Sequence, residues 1–593
     1  MMFQKRLTLL LLVSLLLTMP VFAVDSGAGR MLYTTGEVIA PGLEALSAVY
    51  AGENGTMQAG YCLELSPDST VYPIMMACDT MYGGMDLETA VAYARGQGYN
   101  VVAAVNTSFF TSPSIPIGIV VEEGKLRSAG DGMNAMAILQ DGSYYASAGP
   151  RVRFRLGSES WGAETLELPY LNKAIESDEI YIFNTDFSTV STRTKDSTWA
   201  VRLRVTEGEL TLDGSVKMEV TEVLPLTEAV PLSDGEIVLT ARRSGVNGEV
   251  YKRFSVGAVV TMDVECSDER LLEAAYVAGC GEILAENGKI TEETSWFSFN
   301  EGVHPRTLIG WRSDGTLVLY VADGRQSGYA EGLTLRMAAE EMIRRACLTV
   351  VNMDGGGSSV IGARMPGEWV VEPLNQPSAG KTRQCASYLL LVTDEVSDGV
   401  ARYWHLRENG TFVLPNQKLM LHTFATDKGL YPTLAEGENL LFATGETVSS
   451  EPVFIAPQRG GRHVIKVFGG GASGSGEVRV IPNPTDLSVT FADGTPLRDL
   501  TVVNGQKLPL EIIASHYGVA IPADESCVTY ECSLPLGAPD ENGVFTVHTL
   551  AGLYGDLTLR IADKEYTIRL TVENSPTDIR DHRMKTAWDD YIR

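Results

Sequence analysis

The chain is poor in the side chains that build metal and redox centres. Its 593 residues include only seven histidines and eight cysteines. The histidines are scattered and no CxxC pair is matched by a second, so a structural zinc site is not expected and no metal-ligand spacing demands an ion. Basic runs are missing too. With a formal net charge of −28 and no compensating lysine- or arginine-rich segment, the chain is a poor partner for nucleic acid or an anionic membrane surface. The glycines form neither GxxxxGK[ST] nor a dinucleotide fingerprint, which disfavours a nucleotide P-loop and leaves no cofactor implied. Beyond the N-terminus no apolar run approaches the roughly 20 residues of a membrane-spanning helix.

What the chain does have begins with Lys5 and Arg6, the apolar segment from Leu7 to Leu17 and the small-x-small pattern Val21-Phe22-Ala23. That reads as a secretory signal peptide over residues 1–23, so a secreted, extracellular or cell-surface protein is expected. Export permits disulfides, with Cys62–Cys78, Cys266–Cys280 and Cys527–Cys532 as candidate local pairs. At 44% hydrophobic residues over this length, several cores can be buried and more than one domain is expected.

Two segments carry helical spacing, Leu87 to Gln97 and Leu333 to Arg345, each followed by a short apolar strand. These units predict an α+β fold, a mixed α/β catalytic domain over 24–395 that contains a β-rich portion at 149–279. Beyond about Val400 the pattern is strand and turn only. It divides into two β-sandwich modules, 400–482 and an Ig-like 485–573, with a charged tail at 574–593.

Strand ends deliver polar residues at three places: Asn106, with Phe109 and Phe110; His304, Arg306, Asp323 and Arg325; and Asn352 with Asp354, Gly355, Gly356, Gly357, Ser358 and Ser359. Glycines let backbone amides approach an anion closely, and arginine offers bidentate donors to phosphate oxygens. Together the clusters suit a phosphate-bearing ligand. Taken singly, each has a structural alternative. Arg306 and Asp323 could form a strand-end ion pair, Phe109 and Phe110 could be core, His304 could serve only local backbone, and an isolated DGGGSS could be a tight turn.

The runs HPRTLIG (304–310), VADGRQ (321–326), LTLRMAAEEM (333–342) and NMDGGGSSV (352–360), with AAVNTSFF (103–110) upstream, resemble the phosphodiester glycosidase family. The likeness extends over about 85–395 and departs from the family pattern at Thr107-Ser108 and Cys280-Gly281-Glu282. It implies hydrolysis of a sugar-1-phosphodiester in an extracellular or cell-envelope glycan, N-acetylglucosamine being the sugar of the family's best-known activity. On that chemistry Arg306 and Arg325, with the glycine amides and serine hydroxyls, would neutralise the departing phosphate. Asp354 or Asp323 would serve as general base or nucleophile, and Asn106 and His304 would contact substrate. Two other readings stand beside it: a non-catalytic glycan-binding or adhesion protein associated with the cell envelope through its β modules, and a phosphodiesterase that breaks the P–O bond.

Overall fold

A computed structural model describes residues 25–52, 55–130, 132–296, 302–434, 439–540 and 543–573. The expected signal peptide and charged tail lie outside these residues. The chain divides into two compact units, Met1–Val396 and Ser397–Arg593.

The first unit is β-rich, which overturns the expected α+β class. Among the described residues there are two α-helices, α1 (Leu87–Gly96) and α2 (Leu335–Arg344). Both were legible in sequence from their helical spacing, and in the structure each opens on a side-chain cap. Asp86 accepts from the Thr89 amide at 2.9 Å, and Thr334 accepts from the Met337 amide at 3.2 Å, satisfying amides that a helix start leaves orphaned. The misreading came from the strands around them. Helix α1 links Val71–Ala77 to Val101–Asn106, and α2 links Leu317–Ala322 to Thr349–Met353. In each case the two strands run the same way, but an antiparallel strand, Ser387–Thr393 or Arg306–Trp311, is inserted between them. A strand-helix-strand order thus produces antiparallel ladders instead of a parallel doubly wound sheet.

Two sheets organise the site. A nine-stranded sheet contains Met57–Leu65, Leu317–Ala322, Arg306–Trp311, Thr349–Met353 and Ile283–Glu286 as consecutive neighbours. A five-stranded sheet contains Ile361–Ala363, Val101–Asn106, Ser387–Thr393 and Val71–Ala77. They pack face to face through Ile309, Leu319, Val321, Val351 and Met353 against Val105, Ile361, Leu389 and Leu391. The outer face of the larger sheet carries α2, whose Leu335, Ala338, Ala339 and Met342 meet Leu308, Val318 and Val350. The outer face of the smaller carries α1, through Ala90, Val91 and Ala94. With both faces covered, these strands are apolar throughout. Segment 149–279 supplies a separate eight-stranded sheet, from Val152–Gly157 to Val259–Cys266, over a core that includes Phe154, Trp199 and Met262.

The second unit is built from β-sheets. An eight-stranded sheet uses strands from Tyr403–Leu406 to Ala472–Val480, and smaller sheets of three, four and three strands use segments from Asp486–Phe491 to Lys564–Glu573. All eight cysteines are free thiols, so none of the three candidate disulfides forms. Cys62 lies in the core beneath α2, and Cys78, just past the strand Val71–Ala77, lies in the one beneath α1. No helix among the described residues is long and apolar enough to cross a membrane.

Candidate functional site

Antiparallel register brings the sequence-distant clusters to one end of the nine-stranded sheet. Arg306 pairs with Ala322, and Thr307 with Met353. The start of one strand therefore lies beside the ends of its two neighbours, and His304, Arg306, Asp323, Arg325 and Asp354 all emerge at the same edge. Asn106, at the end of Val101–Asn106, arrives from the facing sheet. Its amide Nδ2 donates to the Asp354 carbonyl at 2.6 Å, and its Oδ1 accepts from the Thr307 hydroxyl and the Val360 amide at 3.0 Å each. Asn106 is fully buried and acts as a staple between the two sheets. Ser359 joins it, its hydroxyl 3.1 Å from that of Thr307.

Asp354 is partly exposed at this edge. Its amide is fixed to the Thr107 carbonyl at 2.9 Å. Burial pushes the carboxyl up to about 6, against the opposing pull of the Ser358 hydroxyl, the Arg383 charge and the Gly355 amide. A carboxyl near 6 exchanges its proton close to neutral pH, as a general acid or base requires.

Asp323 is placed differently. It is almost wholly buried. Its carboxylate accepts from Asn375 Nδ2 at 2.8 Å, from the Gln376 amide at 2.8 Å and from the Tyr329 hydroxyl at 2.9 Å. Burial raises its pKa and these three donors oppose the rise. Tyr329 in turn meets the Tyr61 hydroxyl at 2.7 Å, and Asn375 Oδ1 accepts from the Ile361 amide at 3.0 Å. Asp323 thereby ties the 374–376 segment to the loop that carries Arg325. Arg306 is buried as well, with Nε donating to the Leu333 carbonyl at 2.9 Å and Nη2 to the Gly302 carbonyl at 2.5 Å. Burial lowers its pKa to about 10, with Glu282 opposing and Arg325 adding to the fall. Both charged side chains are held by neighbouring backbone and amide groups rather than by each other.

The exposed cations at the edge are Arg325 and Arg383. Arg325 has a left-handed backbone, φ 61°, a conformation a non-glycine residue holds only when its surroundings demand it. A Cβ on Gly356 would lie 3.2 Å from both Arg325 Nη atoms, and one on Gly357 would lie 2.5 Å from Arg383 Nη2. The glycines thus let two guanidinium groups settle on the backbone of the turn. Two of the three amides are already engaged. Gly356 N donates to the Pro305 carbonyl at 2.9 Å, and Gly355 N serves the Asp354 carboxyl. The buried Ser358 hydroxyl stands between Asp354 and Arg383, 3.4 Å from Arg383 Nη1.

His304 sits half-buried beside the cations, and burial, then Arg325 and Arg306, lowers its pKa. It is therefore neutral at neutral pH. Its Nδ1, Asn352 Oδ1 and Ser108 Oγ are buried and have no hydrogen-bond partner among the described residues. Such atoms cost about 1–3 kcal/mol each in an ordinary interior. Glu282, buried, accepts from Asn352 Nδ2 at 2.7 Å and faces Arg306. Phe109 leans on Gly281, where a Cβ would meet its ring edge at 3.0 Å.

Sequence reasoning missed Arg383, Asn375, Tyr329 and Glu282 as parts of this arrangement. Arg383 lies in KTRQC, which has no strand-end or glycine signature, and only the fold carries it to Gly357.

Residues 208–392 match the phosphodiester glycosidase family. The matched segment holds His304, Arg306, Asp323, Arg325, Asp354 and Arg383, while Asn106 lies outside it and joins only in space. The SPbeta prophage-derived uncharacterized protein YomE of Bacillus subtilis (strain 168) is 39% identical over 85 residues, covering 14% of this chain and 13% of that protein. The chain thus spans about an eighth of the length of that curated relative. Among solved structures, a putative exported protein from Burkholderia pseudomallei K96243 superposes with TM-score 0.51 at 15% identity, covering 63% of this chain and 99% of that one. The zebrafish N-acetylglucosamine-1-phosphodiester alpha-N-acetylglucosaminidase catalytic domain, auto-inhibited by its pro-peptide, gives 0.28 at 14% identity, covering 60% and 87%.

Proposed function

We propose that the protein is an exported hydrolase that cleaves a sugar-1-phosphodiester in an extracellular or envelope glycan, with Asp354 as its catalytic carboxylate. The observation that carries this reading is a partly exposed carboxyl held near 6 at the same sheet edge where the Arg325 guanidinium rests on the glycine turn that follows it. The match to the phosphodiester glycosidase family supports it. Water attacks the anomeric carbon as the C–O electrons depart onto the phosphate oxygen. Asp354 takes the proton from that water, or attacks first and is released by water in a second step. The phosphate ester is a weakly basic leaving group, so neutralising its charge matters more than protonating it, and Arg325 supplies that charge. Asp323, with its three hydrogen bonds, anchors the Arg325 loop in this scheme, and Arg306 underlies it. The N-terminal pattern supports export, and the β-rich second unit is assigned to holding the enzyme at its glycan.

The test is incubation with sugar-1-phosphomethyl esters, N-acetylglucosamine first, in heavy-oxygen water. Free sugar carrying the label is expected. Label in the phosphate would mean P–O cleavage, and binding of these esters without release of any sugar would make the site a receptor instead of an enzyme.

A further inference from the structure

Arg325 and Arg383 are conspicuous in a chain of net charge −28. Other arginines around the nine-stranded sheet are paired: Arg312 with Glu64 at 2.6 Å, Arg344 with Glu341 at 2.5 Å, Arg345 with Glu341 at 3.0 Å. Among the described residues, neither Arg325 nor Arg383 has a carboxylate within ion-pair distance. Both are exposed. Their guanidinium groups rest on consecutive residues, Gly356 and Gly357, and any side chain at either position would displace them. Arg325 also holds a left-handed backbone to get there. Asp354 lies near Arg383 but is not in ion-pair contact with it, so two guanidinium groups on neighbouring residues of one turn still repel each other, and an anion between them relieves the repulsion.

We infer that Arg325 and Arg383 form a two-guanidinium clamp across the Gly356–Gly357 turn, and that it takes a terminal phosphate monoester in preference to a phosphodiester. The inference rests on the reading of this edge as a phosphate site, and it adds Arg383 as a ligand and a charge preference. A dianion gains attraction from both cations, and its three terminal oxygens suit two planar forks. A diester has one negative charge and two free oxygens. The hydrolytic product would therefore be held more firmly than the substrate and would inhibit turnover.

The probes are methyl phosphate and dimethyl phosphate, titrated calorimetrically into the full chain at pH 7.5 and low salt. Methyl phosphate is expected to bind at least about tenfold more tightly than dimethyl phosphate. Arg383→Gln should weaken methyl phosphate about tenfold, the loss of one charge-assisted contact, and bring the two ligands closer in affinity. Arg383→Lys, which keeps the charge, should recover part of the difference. Gly357→Ala keeps both arginines, and its methyl group meets only the flexible end of Arg383, so an unchanged melting temperature with weakened methyl phosphate binding is expected. Equal affinity for the two probes, or undiminished binding in Arg383→Gln, would overturn the clamp. The two readings separate cleanly: methyl phosphate binding without sugar release sinks the hydrolase and leaves the clamp, and sugar release without methyl phosphate binding does the reverse.

Discussion

Replacing Asp354 by asparagine should remove turnover and stabilise the protein at neutral pH. The carboxyl stands at about 6 in the fold against an ordinary 3.8. That difference is about two pH units, or about 3 kcal/mol of preference for the protonated form. Because Asp354 is partly exposed, water screens some of this, and about 1–3 kcal/mol is the working figure. The sign follows from proton binding. Between about pH 4 and 6 the folded state holds a proton that the unfolded chain has lost, so stability falls as pH rises through that window and stays reduced above it. Asparagine keeps an oxygen for the Gly355 amide and has no charge to desolvate. The variant should therefore be more stable than its parent by about 1–3 kcal/mol at pH 7.5 and no more stable near pH 4. Urea unfolding at both pH values, followed by a probe in the first unit such as Trp199 fluorescence, measures this. A variant less stable than its parent at pH 7.5, or an offset independent of pH, would refute the reasoning. Stability gained where activity is lost is the trade expected of a functional site.

Asp323→Ala should destabilise by about 2 kcal/mol or more, because the Gln376 amide and the Tyr329 hydroxyl lose their buried acceptor. Faster hydrogen exchange at Gln376 and in the Arg325 loop would register it, and unchanged stability would remove the anchoring role. Glu341, a fully buried residue of α2, accepts from Tyr50 at 2.7 Å and pairs with Arg344 and Arg345. Glu341→Gln should cost about 3–5 kcal/mol by stranding those charges. The Glu341 pKa is lowered: burial alone would raise it, but the bonds and charges of Arg344, Arg345 and Tyr50 outweigh that. Its contribution is therefore present above the ordinary carboxylate range and fades as pH falls through the lowered value. A variant as acid-sensitive as its parent would contradict this.

Much of the local structure was readable from the chain. The helical spacing at 87–97 and 333–345, the apolar runs before Asn106 and Asp354, and the glycines at 355–357 each carry their meaning within a few residues. The class of the fold was not. Whether a strand-helix-strand segment closes a parallel pair depends on a third strand from elsewhere, and Arg306–Trp311 and Ser387–Thr393 are such strands. The cysteines failed for the same reason, since Cys62 and Cys78, near each other along the chain, are buried in different cores.

By itself the sequence determined which side chains stand at strand ends, because alternation and turn chemistry act over short range. The tertiary structure alone decided which of them reach solvent. It buried Asn106, Arg306 and Asp323 as supports, left Asp354 and Arg325 at the edge, and brought Arg383 to them. Burial is set by what packs above a residue, and for this site that is the facing sheet and the 374–383 segment, far away in the chain.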